Sequence, residues 1–294
     1  LTSDRQHESS ALIFSVVIFG QIIMGGTFPA AKIALRDFDA FTLALLRYAL
    51  ASSALLLITY LRGRMKKIEK QDVPRLLLLG VLAIPLNQLL FLYGLQYTSP
   101  ARSAIWFGAT PIFVFLLAVP ILGEKATLRK VLGTFASFVG VALVLEGGGR
   151  NGGTIFGDMI IILAVISWAF YTVLGKPLLR KYGPLPMTAY ALSIGTAIYF
   201  PFGLYLTRHF DFTQVTTAGW AGLLYIALAT SVVGYSIWYW ALARMEAIKL
   251  AIFQNIQPIA GTALSVLFVN ETLGIFFFVG GILIVGGVLL TQRG

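Results

Sequence analysis

The sequence predicts an all-α polytopic membrane protein in which ten transmembrane helices form two inverted five-helix repeats. Three observations predict it. The first is composition: of 294 residues, 58% are hydrophobic and 12% charged, with mean hydropathy +0.85. Soluble domains carry about 25% charged residues, so this supply does not cover a water-facing surface. The second is that apolar runs close to the ~20 residues that cross a bilayer recur ten times. The third is a repeat. "AIWFGATPIFVFLLAVPILGE" at 104–124 returns 147 positions later as "AIFQNIQPIAGTALSVLFVNE", pairing Pro111 with Pro258 and Glu124 with Glu271. Gly133 and Gly140 pair with Gly280 and Gly287 at the same offset. Five spans carry the chain from one face to the other, so a second copy must run inverted, as in many secondary transporters.

In chain order, residues 1–10 read as a polar tail and 11–146 as the first repeat, with spans at roughly 11–35, 41–61, 74–97, 100–122 and 128–146. No short apolar segment with a small-residue cleavage site precedes the first span, which predicts no removable signal peptide. "RGRMKKIEKQDVPR" at 62–75 is the longest and most charged connection. The third span contains Pro85, the fourth Pro111, and the fifth the glycine face of Gly133 and Gly140. Residues 147–154 read as a glycine-rich linker. "GGRNGGT" lacks the lysine that a phosphate-binding loop needs, which leaves it a linker. The second repeat, 155–291, has spans at roughly 155–175, 186–206, 218–240, 248–269 and 274–291. Pro258 lies in the fourth of these and Gly280, Gly281, Gly286 and Gly287 in the fifth, where small residues allow helices to touch.

Charge orients the bundle. Sixteen of the 22 lysines and arginines fall in the two tails and on the side reached by loops 62–75, 125–130, 176–181 and 244–249. The positive-inside rule places both termini in the cytoplasm, and an even number of spans agrees. The net charge of +10 is thereby topological, with no nucleic-acid partner implied. There is no cysteine, and His7 and His209 make no ligand pair, so no metal and no cofactor is expected. All twelve acids lie in loops or within about a turn of a span end. Intramembrane carboxylates commonly mark ion-coupled pumps, so their absence points to a facilitator or to coupling through other groups, and away from a binder of dicationic drugs. It also speaks against a membrane-embedded enzyme, for which no acid–base constellation is available.

The candidate site lies at mid-depth. Pro111 and Pro258 remove a helical donor and kink their spans, freeing the carbonyls of Phe107 and Gln254. Freed carbonyls in a bilayer must face protein or a wet cavity. Gln254, Asn255 and Gln257 cluster beside the second, and Asn87 and Gln88 follow Pro85. These amides either line a cavity or join helices, as contacts of about 1 kcal/mol. Trp106 and Trp168 lie off the interface, where an indole N–H needs a partner, and either border a substrate path or pack the core. Tyr93, Tyr171 and Tyr239 are candidates of the same kind. Trp220, Trp238 and Trp240 read as interfacial belt residues. Arg47 and Lys32, both on the outer side, are the cations nearest the core. Arg47 snorkels outward or pairs with a helix-end carbonyl, in a structural or gating role. Glu124 and Glu271 sit where the helix dipole disfavours an anion, so each needs a cationic partner or caps a neighbouring helix. Lys125 is the neighbouring cation for the first.

The paired proline-to-glutamate segments, the glycine-bearing helices after them, "LALLRYALASSALLL" in span 2 and "SWAFYTVLGKPL" in span 6 resemble the EamA family of the drug/metabolite transporter superfamily. In span 1, "IMGGTFPAAK" has Gly25 where most members have tryptophan. The resemblance covers nearly the whole chain and implies ten spans, alternating access around a central cavity and no enzymatic activity. Within the family the chain is most similar to YddG-type amino-acid exporters. This implies a multi-pass protein of a bacterial-type inner membrane, monomeric or oligomeric, that exports neutral or aromatic amino acids. Drug, sugar or nucleoside transport by the same fold is the alternative, a channel a more distant one.

Overall fold

Lipid accepts apolar surface and offers polar groups no partner, so a bilayer inverts the pattern of a water-soluble protein. Leu57, Phe135, Ile155, Met159 and Ile282 are each more than half exposed, whereas Arg47, Asn87, Gln254 and Asn255 are buried. The computed structural model describes residues 2–98, 100–146, 154–260 and 275–294. Glu271, the linker residues 147–153 and the second part of the ninth span lie outside the described residues.

All of the described regular structure is helical. We number ten rods. In the first half, α1 comprises Thr2–Gly25 and Thr27–Ala34, and α2 is Ala40–Leu61. Rod α3 runs through Val73–Ala83, Ile84–Leu89 and Leu90–Tyr97; α4 is Pro100–Gly108 and Thr110–Leu122; α5 is Leu128–Glu146. In the second half, α6 is Ile155–Tyr182, α7 is Pro184–Thr207, and α8 joins Thr217–Leu224, Tyr225–Gly234 and Tyr235–Leu242. Rod α9 begins as Ala247–Ala251 and Ile252–Asn255, and α10 is Ile275–Gln292. Six stretches, in α1, α2, α3, α6, α7 and α8, are long and apolar enough to cross a membrane, and α4 and α10 contribute shorter apolar helices, Trp106–Leu122 and Phe278–Gln292. Two bounds differ from the sequence reading. The stretch read as a tail continues α1 from Thr2, and α6 passes the expected end at 175, through Pro177, to Tyr182.

Local chemistry fixes the ends. Asp39 Oδ1 accepts from the Phe41 and Thr42 amides, both at 2.9 Å, and starts α2. Thr154 accepts from Gly157 N at 3.0 Å and starts α6. Gly123 closes α4 at φ +68°, a left-handed conformation that glycine adopts without strain.

The two halves repeat the same irregularities. The third rod of each carries a π-helical stretch, Ile84–Leu89 in α3 and Tyr225–Gly234 in α8. The fourth rod of each breaks just ahead of its proline. Rod α4 restarts at Thr110, so Pro111 falls in a first turn, where its missing N–H costs no helical bond. It starts a helix, where the sequence reading had it kink a continuous one. Rod α9 passes through a 3₁₀ turn at Ile252–Asn255 before helix resumes over 256–260, around Pro258. The fifth rods meet each other: a Cβ on Gly133 would lie 2.6 Å from Gly287 O, and one on Gly140 2.7 Å from Gly280 O. Backbones this close require glycine, which explains the spacing in both rods.

Candidate functional site

The irregular segments converge on the centre of the bundle. Rod α1 breaks between Gly25 and Thr27, and the Tyr225 hydroxyl of α8 donates to Ile23 O beside that break at 2.8 Å. Thr27 Oγ1 lies 2.9 Å from Thr230 Oγ1 in the π stretch of α8. Gln257 Nε2 donates to Gln21 Oε1 at 2.7 Å, joining α9 to α1. Each contact links one half of the chain to the other.

Between these contacts lies a cavity of about 30 Å³. That volume holds water and falls short of a metabolite. Met24, Thr27 and Phe28 of α1, Arg47 of α2, Gln88 and Phe91 of α3 and Phe107 of α4 line it from the first half. Trp168 of α6, Thr230 and Tyr235 of α8, and Gln254 and Gln257 of α9 line it from the second. Phe107 and Gln254 occupy equivalent positions in the two repeats, 147 residues apart. Phe28, Phe91 and Phe107 form an aromatic triangle with centroids 5.5–5.8 Å apart, meeting edge to face.

Arg47 departs from its expected place. Its side chain is fully buried and bonds a hydroxyl, whereas the sequence left open outward snorkelling or a helix-end carbonyl. Nε donates to Ser231 Oγ at 3.0 Å, and Ser231 Oγ donates in turn to Ile226 O, five residues back in the π stretch, at 2.9 Å. The π stretch thus presents to the arginine a hydroxyl whose own proton goes to the backbone of the same stretch. Both terminal guanidinium nitrogens have no hydrogen-bond partner. Gln88 Oε1, Gln254 Oε1 and Trp168 Nε1 are likewise buried without a partner.

Of the sequence candidates among the described residues, Arg47, Gln88, Trp168, Gln254 and Gln257 come together at the cavity, and the others do not. Asn255 points away and donates to Ser137 Oγ of α5 at 3.0 Å. Asn87 donates to Ala164 O of α6 at 2.7 Å, and Ser167 Oγ to Leu82 O, just ahead of Pro85, at 2.8 Å. These are joints between helices. Trp106 is half-buried and absent from the lining. Tyr93 packs on Phe41 and Tyr97, with the Tyr97 hydroxyl 3.2 Å from its own. Tyr171 and Tyr239 are fully buried behind the cavity wall, where the Tyr239 hydroxyl donates to Tyr171 O at 3.2 Å. Trp238 corrects the belt reading: it is 1% exposed and packs on Trp168 at 5.8 Å. Trp168 is thus held by Tyr171, Tyr235 and Trp238 at 5.1–5.8 Å.

Sequence reasoning missed Met24, Thr27, Phe28, Phe91, Thr230 and Tyr235. The glycine pair and Pro29 beside Thr27 were a readable sign of a broken helix, whereas Thr230 and Tyr235 carry no such sign.

Glu124 finds its cation in Lys176 of α6 at 2.7 Å, rather than in Lys125. The same carboxylate accepts from the Ala247 and Ile248 amides at 2.6 and 2.9 Å, capping α9. One glutamate therefore ties the end of α4 to two helices of the other half. No group of three or more potential metal ligands occurs among the described residues.

The sequence model of the EamA-like transporter family matches twice, over residues 11–146 and 155–293. The chain belongs to the EamA-like transporter family. It is therefore a multi-pass membrane transporter of small molecules, not an enzyme, built from repeated halves. An uncharacterized transporter of Archaeoglobus fulgidus is 32% identical over 92% of this chain and 93% of its own. The uncharacterized transporter YyaM of Bacillus subtilis is 29% identical over 94% and 92%. A relative from Streptantibioticus cattleyicolor, named "Probable terminal-alkyne amino-acid exporter", is 26% identical over 96% and 92%. A solved crystal structure covers 94% of this chain and 96% of its own with TM-score 0.75 at 17% identity, a likeness of fold.

Proposed function

We propose that this transporter exports small metabolites, neutral or aromatic amino acids foremost, by alternating access around the central cavity. The observation that carries the reading is the convergence of buried, partly unpartnered polar groups from both halves on one cavity between broken helices. Polar side chains are expensive in a bilayer and persist where they serve a solute path. The aromatic part of the lining, Phe28, Phe91, Phe107 and Trp168, favours a solute with an apolar or aromatic body. The amino-acid exporter named above, related over nearly the full length, supports the same class.

A solute enters only when the helices part, because the cavity is water-sized as it stands. Rocking of 11–146 against 155–291 opens one face as it closes the other, with the Thr27–Thr230, Gln21–Gln257 and Arg47–Ser231 contacts exchanged during the cycle. Both termini lie in the cytoplasm of a bacterial-type cell, by the bias of basic residues. Counterflow of labelled solutes into proteoliposomes of the purified chain tests the proposal. Saturable, trans-stimulated uptake of L-phenylalanine or L-leucine is expected. Uptake confined to sugars, nucleosides or cationic drugs contradicts it, and unsaturable flux points to a channel.

A further inference from the structure

We propose that Arg47 is the carboxylate receptor of the transport site, so that the transporter selects solutes with one free carboxylate over their amides and amines. The assignment rests on the central cavity being the substrate site, as proposed above.

The argument starts from the cost of a buried charge. A guanidinium stays protonated in proteins and offers five N–H donors. Taken out of water without an anion, it is strongly destabilising unless its donors are met. Arg47 is 0% exposed, and a single bond, from Nε to Ser231 Oγ, is satisfied. Arg47 lines the cavity, and both of its terminal nitrogens are buried without a hydrogen-bond partner. None of the four ion pairs among the described residues includes Arg47. The Tyr48 ring, 5.0 Å from the guanidinium carbon, offers only its π face. The planar pair of donors that remains matches the two oxygens of a carboxylate.

The rest of the lining fits the other end of an amino acid. Gln88 Nε2 is engaged with Asn87 Oδ1, and the Oε1 atoms of Gln88 and Gln254, two residues of the lining, are buried without a partner. Two free carbonyl oxygens accept from an ammonium, for which the Trp168 face adds a cation–π surface. A fork of donors for an anion and two acceptors for a cation complement a zwitterion. One guanidinium balances one negative charge, which favours a carboxylate over a doubly charged phosphate.

The experiment pairs each acid with its amide in counterflow and in quenching of tryptophan fluorescence by added ligand: L-phenylalanine with L-phenylalaninamide, L-leucine with L-leucinamide, and 3-phenylpropionate with its amide. In the wild type the acid binds at least thirtyfold more tightly, since leaving one partner of a buried charge pair unmet loses at least about that factor. Arg47→Gln removes the preference, and Arg47→Lys retains part of it. A purely structural arginine would lower thermal stability while leaving the acid-to-amide ratio unchanged. The wild-type comparison needs no variant, so misfolding of Arg47→Gln leaves the test intact. Amino acids transported as readily as their amides overturn the assignment and leave the proposed function standing. Transport of 3-phenylpropionate but not its amide, with no amino acid moving, overturns the amino-acid reading and keeps the assignment. Preference for inorganic phosphate or phosphate esters overturns it.

Discussion

Removing the carboxylate of Glu124 should unlock the joint between the halves. Glu124 is 7% exposed and Lys176 23%, so the pair is only weakly screened by water. Glu124→Ala removes three bonds: the ion pair at 2.7 Å and the caps on Ala247 and Ile248 at 2.6 and 2.9 Å. Lys176 keeps its bond to Met245 O at 2.9 Å, so most of the loss falls on the two caps. Hydrogen bonds to a charged group contribute about 1.5–3 kcal/mol each; at the lower end of that range, which suits a helix end near the membrane surface, the pair of caps contributes about 3 kcal/mol. For a chain of this size each kcal/mol moves Tm by about 2–4 °C, so the drop is on the order of 6–12 °C. Glu124→Gln keeps an acceptor and should lose about a third to a half as much. The assay is thermal unfolding of detergent-solubilised protein followed by size-exclusion fluorescence. The cycle is completed with Lys176→Met, for which a coupling of about 1 kcal/mol is expected. A Glu124→Ala protein as stable as wild type, or no coupling with Lys176, refutes the reasoning.

Three further outcomes are expected. Asn255→Ala should lower stability by about 1 kcal/mol through loss of its bond to Ser137 while substrate affinity stays at the wild-type value, measured by unfolding and by binding. Trp168→Phe should preserve folding yet weaken aromatic solutes, with Trp168→Ala weaker still, and the fluorescence response to L-phenylalanine should fall in both. Cysteines introduced at Ser9 or Gln292, in a chain that has none, should resist an impermeant thiol reagent in intact cells and react after permeabilisation, as cytoplasmic termini require.

Much of the fold was legible because membrane constraints are local. Apolar runs, the paired prolines and the glycine faces of α5 and α10 each announce themselves within about twenty residues. Gly133, Gly140, Gly280 and Gly287 meet as their spacing implies, whereas Gly281 and Gly286 face no neighbour among the described residues. The need of Glu124 for a partner followed from its position at a helix end, but which lysine answers depends on tertiary approach. Arg47 was misread because hydropathy gives depth and not direction. Near an outer end an arginine can snorkel, and only the π stretch of α8, which brings Ser231 alongside, turns it inward. That π stretch holds no proline and so gave no warning, unlike its counterpart at Pro85. Asn255 and Gln254 are neighbours in sequence, yet the 3₁₀ turn of α9 sends one to α5 and the other to the cavity. Trp238 lies near a span end, where a belt role is the common one, and its burial comes from Trp168 across the bundle.

Alternating access through this cavity is tested most directly by Gln254→Cys in the otherwise cysteine-free chain, reconstituted in a single orientation. The residue is 3% exposed and lines the cavity, so a reagent reaches it as the rocking halves open the cavity. The account predicts that a charged, impermeant thiol reagent modifies it from either face of the membrane, one face at a time, and that saturating substrate slows both reactions. Reaction from one face only, or rates that substrate leaves unchanged, would contradict it.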